Sequence, residues 1–186
     1  MDDIVKQAMA KWPNVPDCYG WLGLDARGNW YMRDDQVQAL GAFDSDTPGC
    51  KGSGLQHGKL IDFIARNYAS DTQGCWYFQN GPQRVFVELQ ATPLIWRLQT
   101  DGSVHDHIGR SALIRGCWLD ESGHLYLEAD LGFGLVHSQD MHQAAEAIEQ
   151  GLWLPKEVMQ AQLPARFGFV KSPDSLQNNS ILRNES

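Results

Sequence analysis

His105-Asp106-His107 sets two imidazoles on one side of an extended segment, and imidazole is a common zinc ligand. A zinc site takes three or four such ligands. Cys50, His57 or His124 could complete one only by folding toward the pair, and no spacing matches a known zinc pattern. His105 and His107 therefore read as part of a solvated polar loop, with metal binding as the alternative. Nucleophilic chemistry has less to work with. Cys117 lies in an apolar run and Cys75 beside Trp76, places where a thiol acts as a small hydrophobe. No Gly-x-Ser-x-Gly elbow is present, and Ser138 after His137 stands where it could cap a helix. Gly132-Phe133-Gly134 and the run from Gly49 to Gly54 are glycine-rich, but neither carries the Lys-Ser/Thr of a phosphate loop. The lack of a complete catalytic set leans against an enzyme, and no cofactor is expected.

Recognition is the chemistry that remains. The chain has seven tryptophans in 186 residues. Most belong in a core, but indole rings also line concave ligand sites. Trp30, Arg33, Trp76, Arg84 and Trp96 are the candidates to contact a ligand, with Arg84 as the partner of an anion.

The elements that must position these residues centre on Gly74 to Gln99, the densest apolar and aromatic stretch. Trp76-Tyr77-Phe78, Arg84 to Leu89 and Leu94 to Leu98 read as three strands forming the spine of a sheet. Val85, Val87 and Leu89 alternate with Arg84, Phe86 and Glu88, the period of a strand with one packed face. Arg84 and Glu88 are expected to pair on the solvated face. Asn80-Gly81 marks a hairpin, and Pro82 argues for a slightly longer loop there.

Before the spine, Ile4, Val5, Ala8 and Met9 define a first helix ended by Trp12-Pro13. Residues 21–32 form a hairpin around Asp25-Ala26-Arg27-Gly28, residues 41–54 a long loop, and Leu55 to Tyr68 an amphipathic helix. After it, residues 103–110 are polar, and residues 112–129 form a hairpin around Asp120-Glu121-Ser122-Gly123. Residues 131–136 read as a flexible connector. A helix begins near Asp140 and ends at Gly151, and Pro155 could begin a short helix to Gln162. The divisions expected are an N-terminal α+β unit over 1–98, a C-terminal α+β unit over 99–171 and a flexible tail over 172–186.

Bulk composition narrows the function. An apolar share of 42% and a charged share of 20% are those of a globular protein. The net charge of −8, with no basic run, argues against nucleic acid. The acidic start is unlike a signal peptide, and no apolar run approaches the roughly 20 residues of a membrane span. Four scattered cysteines fit free thiols in a cytoplasmic protein.

Leu24-Asp25-Ala26-Arg27-Gly28-Asn29-Trp30-Tyr31 echoes Leu119-Asp120-Glu121-Ser122-Gly123-His124-Leu125-Tyr126 in the frame Leu-Asp-x-x-Gly-x-x-Tyr. The frame suggests two hairpin-plus-helix units, or two ordinary hairpins that use the same turn residues. The order of Trp12-Pro13, Leu24 to Trp30, Phe78 to Val85, Val87 to Pro93 and the Ala/Ile-rich helix Met141 to Gly151 resembles the proteobacterial family of domain of unknown function 1285, or a sister of it. The resemblance covers about residues 12–153. It implies an α+β fold of two similar small units, each a curved antiparallel sheet with a packed helix, and a role in ligand sensing or signal transduction. This chain departs from the family pattern at Asn80 to Arg84 and at Met32-Arg33-Asp34-Asp35. The leading expectation is a non-catalytic regulatory module holding a small molecule or peptide between the units. A protein–protein adaptor or homodimer is the alternative, and an unrecognised enzyme the third reading.

Overall fold

The computed structural model describes residues 1–184, and residues 185 and 186 of the expected tail lie outside the described residues. The chain is an α+β protein of two units, each built on one sheet. Unit 1 comprises residues 1–25, 29–90 and 169 onward, and unit 2 comprises residues 26–28 and 91–168.

In unit 1 the chain runs through α1 (Asp3–Lys11), β1 (Cys18–Leu24), β2 (Trp30–Met32), α2 (Asp35–Leu40), β3 (Ser53–Gly54), α3 (Gly58–Arg66), β4 (Tyr68–Ser70), β5 (Trp76–Asn80) and β6 (Gln83–Leu89). Its six strands lie in the order β3-β2-β1-β6-β5-β4. β1 and β6 are parallel and the other pairs antiparallel.

Unit 2 continues with β7 (Leu94–Leu98), β8 (Val104–Asp106), β9 (Ser111–Ala112), β10 (Ile114–Leu119), β11 (Leu125–Ala129), β12 (Gly132–Val136), α4 (Met141–Glu149), β13 (Pro155–Glu157) and α5 (Leu163–Phe167). Read from β9, its order is β9-β8-β7-β12-β11-β10-β13. The first six strands repeat the order of unit 1, again with the central pair, β7 and β12, parallel. The units are therefore similar, and each sheet is mixed rather than purely antiparallel.

The Asp-x-x-Gly frame has a mechanical cause. At Asp25, Asp71, Asp106 and Asp120 the aspartate N–H donates to the carbonyl four residues on. The amide of that fourth residue returns a hydrogen bond to the aspartate Oδ1. The glycine at the third position sits at φ between 82° and 87°, which a Cβ would disfavour. Gln99 to Gly102 makes the same backbone turn. By strand order, the turn at Asp120 corresponds to the one at Asp71, not to the one at Asp25. The sequence echo thus pairs two non-equivalent hairpins that use one turn.

The spine divides between the sheets. β5 and β6 belong to unit 1, and β7, expected beside them, lies in the sheet of unit 2, so the chain passes between units after Gln90 rather than after Leu98. Gly81 (φ 58°) and Pro82 make a two-residue turn, because Asn80 and Gln83 pair directly and Pro82 needs no N–H there. The expected connector 131–136 is β12, central in its sheet. A Cβ on Gly134 would lie 2.5 Å from the Leu94 carbonyl oxygen, so the glycine serves close strand approach. Residues 155–157, expected to be helical, are edge strand β13. Residues 173–184, expected to be a flexible tail, form α6 (Pro173–Asn184).

The alternation read in β6 sets the two faces of the unit 1 sheet. Val85 pairs in register with Phe78, whose ring meets Phe63 of α3 edge-on. Phe78, Leu22, Leu24, Val87 and Leu89 are buried, as are Ile64 of α3 and Val5 of α1. On the opposite face Tyr31, Gly23 and Glu88 share one row. Phe43 lies across Gly23, where a Cβ would stand 2.4 Å from its ring. The long loop of residues 41–54 is thereby folded onto the sheet, with Phe43 and Cys50 each 2% exposed.

Candidate functional site

On that same face Tyr19 of β1 stacks on Phe86 of β6, the rings 4.6 Å apart and 4° from parallel. The parallel β1–β6 pair brings these aromatics together from distant parts of the sequence. Arg84 lies beside them, its guanidinium 5.3 Å from the Phe86 ring and 5.8 Å from the Tyr77 ring. Asp17 orients the guanidinium with two hydrogen bonds, from Nε to Oδ1 at 2.9 Å and from Nη2 to Oδ2 at 2.6 Å. Arg84 thus pairs with Asp17 and not with Glu88 as expected from sequence.

A cleft of about 290 Å3 opens here, lined by Tyr19, Arg84 and Phe86, by Asp71 to Gln73 and Cys75 of the β4–β5 turn, and by Pro173, Leu176 and Gln177 of α6. The segment before α6 fixes that wall. Val170 N–H donates to the Gly74 carbonyl, the Lys171 carbonyl accepts from Leu89 N–H, and Lys171 pairs with Asp44 at 2.7 Å. Glu88, 4% exposed, accepts from Asp174 N–H at 3.1 Å at the start of α6.

Burial pushes the Glu88 carboxyl above its ordinary value, against the hydrogen bonds from Ser172 and Asp174 N–H. The Asp174 charge adds to the rise, and the Arg33 charge opposes it. A carboxyl with a raised folded pKa contributes stability at acid pH, and that contribution is lost as pH rises through the folded value. Glu88→Gln keeps an acceptor for Asp174 N–H and abolishes the buried charge. It is expected to melt above the parent at about pH 7.5, with the difference shrinking toward about pH 4. Thermal melts across that range check this, and parallel curves for the two proteins would contradict it.

The other candidates are placed elsewhere. Trp30 and Trp76 meet Tyr68 in the buried core of unit 1, at centroid distances of 5.2 Å and 4.8 Å. Arg33, 3% exposed, donates to the carbonyls of Cys50 at 2.8 Å, Gly41 at 2.5 Å and Gly20 at 3.4 Å, so it anchors the 41–50 loop. Trp96 is fully buried in unit 2, where its Nε1–H donates to the Leu127 carbonyl at 2.9 Å. His105 shares a hydrogen bond with Ser103, while His107 Nδ1 accepts from Ile95 N–H at 3.3 Å. Among the described residues no group of three or more His, Cys, Asp or Glu could hold a metal ion. Of the sequence candidates Arg84 alone lines this cleft, and Tyr19, Asp17 and Asp71 were not among them. The aspartate frame at Asp71-Thr72-Gln73-Gly74, repeated in Tyr77 at its seventh place, was the signal that could have found Asp71.

Unit 2 has a larger cleft, about 600 Å3, between the β7–β8 turn and α4, with Leu98, Ala147, Leu152 and Trp153 at its apolar side. Its polar rim is loose: His142 and Glu146 have side chains 85% and 54% exposed. The unit 1 cleft has the held cation, and held groups lose less freedom on binding.

Among the described residues no helix is long and apolar enough to cross a membrane. No curated protein matches the chain. Similar solved structures include a DUF1285 family protein from Silicibacter pomeroyi DSS-3, 12% identical, with 78% of this chain and 84% of that chain covered and a TM-score of 0.47. Another is a DUF1285 family protein from Shewanella baltica OS155, 15% identical, with coverage of 68% and 91% and a TM-score of 0.44. Both carry the family name that the sequence motifs resemble. The family model that matches, over residues 1–174, is DUF2944, described as "Protein of unknown function (DUF2946)", and the chain belongs to that family.

Proposed function

We propose that this protein is a non-catalytic binding module with a regulatory, signal-transducing role, and that its ligand, a small molecule or peptide, sits in the Arg84 cleft. The observation that carries this reading is the guanidinium itself. Arg84 is clamped by Asp17 and rests on two rings, yet its Nη1 makes no hydrogen bond among the described residues and the cleft lies beside it. A guanidinium held in place beside a cleft can make strong charge-assisted hydrogen bonds to a carboxylate or phosphate there. Burial, with the charges of Asp71 and Glu88, pushes the Cys75 thiol in the cleft up to about 11. It stays protonated at neutral pH and offers no nucleophile.

A thermal-shift panel of amino acids, carboxylic acids, sugar phosphates and nucleotides tests the reading on the parent and on Arg84→Gln. A ligand at a hundred times its Kd adds about 2.7 kcal/mol, which raises Tm by several degrees. The expected result is a rise for one chemical class in the parent and none in Arg84→Gln. An unresponsive panel, or equal shifts in both proteins, would sink the proposal.

One observation favours a second reading, a homodimer. Leu152 and Leu154, 69% and 77% exposed, directly precede edge strand β13, whose outer side lacks a partner strand among the described residues. Sedimentation of the parent and of Leu154→Lys checks it: a dimer dissociated by the substitution supports this reading, and a monomeric parent refutes it.

A further inference from the structure

Resting on the binding-module reading, the Arg84 cleft also shows what kind of molecule would fit. Two charged groups of opposite sign face it, each fixed by the fold and each with a free valence. Arg84 Nη1 is one. The other is Asp71: its Oδ1 is occupied by Gln73 N–H and Cys75 N–H, both at 2.9 Å, while its Oδ2 has no hydrogen-bond partner among the described residues. Tyr19 lines the same cleft, stacked on Phe86. Burial pushes its phenol up, the Asp17 and Asp71 charges add to the rise, and the Arg84 charge opposes it.

This pattern selects by charge. A simple anion approaching Arg84 meets two carboxylates, Asp17 and Asp71. A simple cation approaching Asp71 meets the guanidinium. A ligand carrying both signs satisfies both free valences and sets its cationic end, rather than a like charge, against Asp71. Thr72, Gln73 and Gln177 add a hydroxyl and two amides to the wall, and Leu176 and the Tyr19–Phe86 stack supply apolar surface. A volume of about 290 Å3 holds a molecule of roughly ten heavy atoms with water to spare.

We infer that the unit 1 cleft binds a free α-amino acid, its carboxylate on Arg84 Nη1 and its ammonium on Asp71 Oδ2. The neutral polar wall selects an uncharged side chain.

Each of the twenty free L-amino acids is titrated into the full chain by calorimetry, followed by the N-acetyl derivative and the amide of the best binder. The expected result is saturable binding of a neutral amino acid that weakens about tenfold or more when either end is blocked. Because the blocked ligands need no altered protein, this arm is independent of folding. Asp71→Asn, which keeps an oxygen for the turn amides, is expected to lose affinity for the amino acid while its own melting temperature holds. If the N-acetyl derivative binds as well as the free amino acid, the zwitterion assignment falls and the binding module stands. If no amino acid binds but another class in the thermal-shift panel depends on Arg84, the outcome is the same. If nothing binds in either experiment, both fall.

Discussion

Arg33→Ala is expected to destabilise the protein by about 3–5 kcal/mol, because three carbonyl acceptors lose one charged donor together, at roughly 1–3 kcal/mol each with partial compensation by water. The substitution would strip hydrogen bonds from the carbonyls of Cys50, Gly41 and Gly20 and leave a void against the Phe43 ring, which the guanidinium overlies at 5.8 Å. For a chain of this length the change corresponds to a fall in Tm of roughly 10 °C. Arg33→Lys should lose most of the same stability, since an ammonium on a single stem cannot serve three divergent acceptors with a fixed fork. A local readout separates this from general weakening. With its anchor gone the 41–50 loop should lift, and trypsin should cut after Lys51 faster than at other basic residues. Arg33→Ala unfolding in urea at the parent's midpoint, with Lys51 still protected, would show that the loop is held by something else.

Asp120→Ala should cost about 3 kcal/mol, because several hydrogen bonds to one buried ion are lost together. The carboxylate is 5% exposed as a residue and accepts from Ser122 N–H, His124 N–H and the Tyr126 hydroxyl, with the His124 ring at 3.0 Å. Burial alone would raise its pKa, but the hydrogen bonds from His124, Tyr126 and Ser122 together hold it below the ordinary carboxylate value. Its contribution to stability is therefore complete above the ordinary carboxylate range and is lost as acid protonates the folded chain. The parent's advantage over Asp120→Ala should be constant near neutrality and should narrow in acid. Urea midpoints at several pH values measure this, and a gap that widens on acidification would contradict the sign.

How far the sequence revealed the fold depended on how local the cause was. α1, α4 and the alternation of β6 follow from apolar spacing within each segment, so they were legible. The Asp-x-x-Gly turn was legible as chemistry, yet its match between Asp25 and Asp120 misled about equivalence, because a turn reports its own hydrogen bonds and not its place in a sheet. β12 was read as a connector since Gly132 and Gly134 weaken its pattern. Gly134 is there because the Leu94 carbonyl comes so close, a cause that lies forty residues away. Arg33, a candidate ligand contact by sequence, instead serves the carbonyls of Cys50, Gly41 and Gly20, acceptors that no local pattern reveals. The candidate site divides in the same way. Arg84 is visible as a cation on an alternating strand, whereas Tyr19 and Asp17 reach it only through the parallel β1–β6 pairing, and α6 only through the return of the chain after residue 168.

The most direct test of the account is to map where the ligand lands. The compound that gives the largest thermal shift is titrated into isotopically labelled protein, and amide chemical-shift changes are followed residue by residue. Saturable changes are expected to cluster at Tyr19, residues 71–75, residues 84–86 and residues 173–177, and to be absent in Arg84→Gln. Changes centred instead on residues 98–102 and 142–153, or no saturable change for any compound, would contradict it.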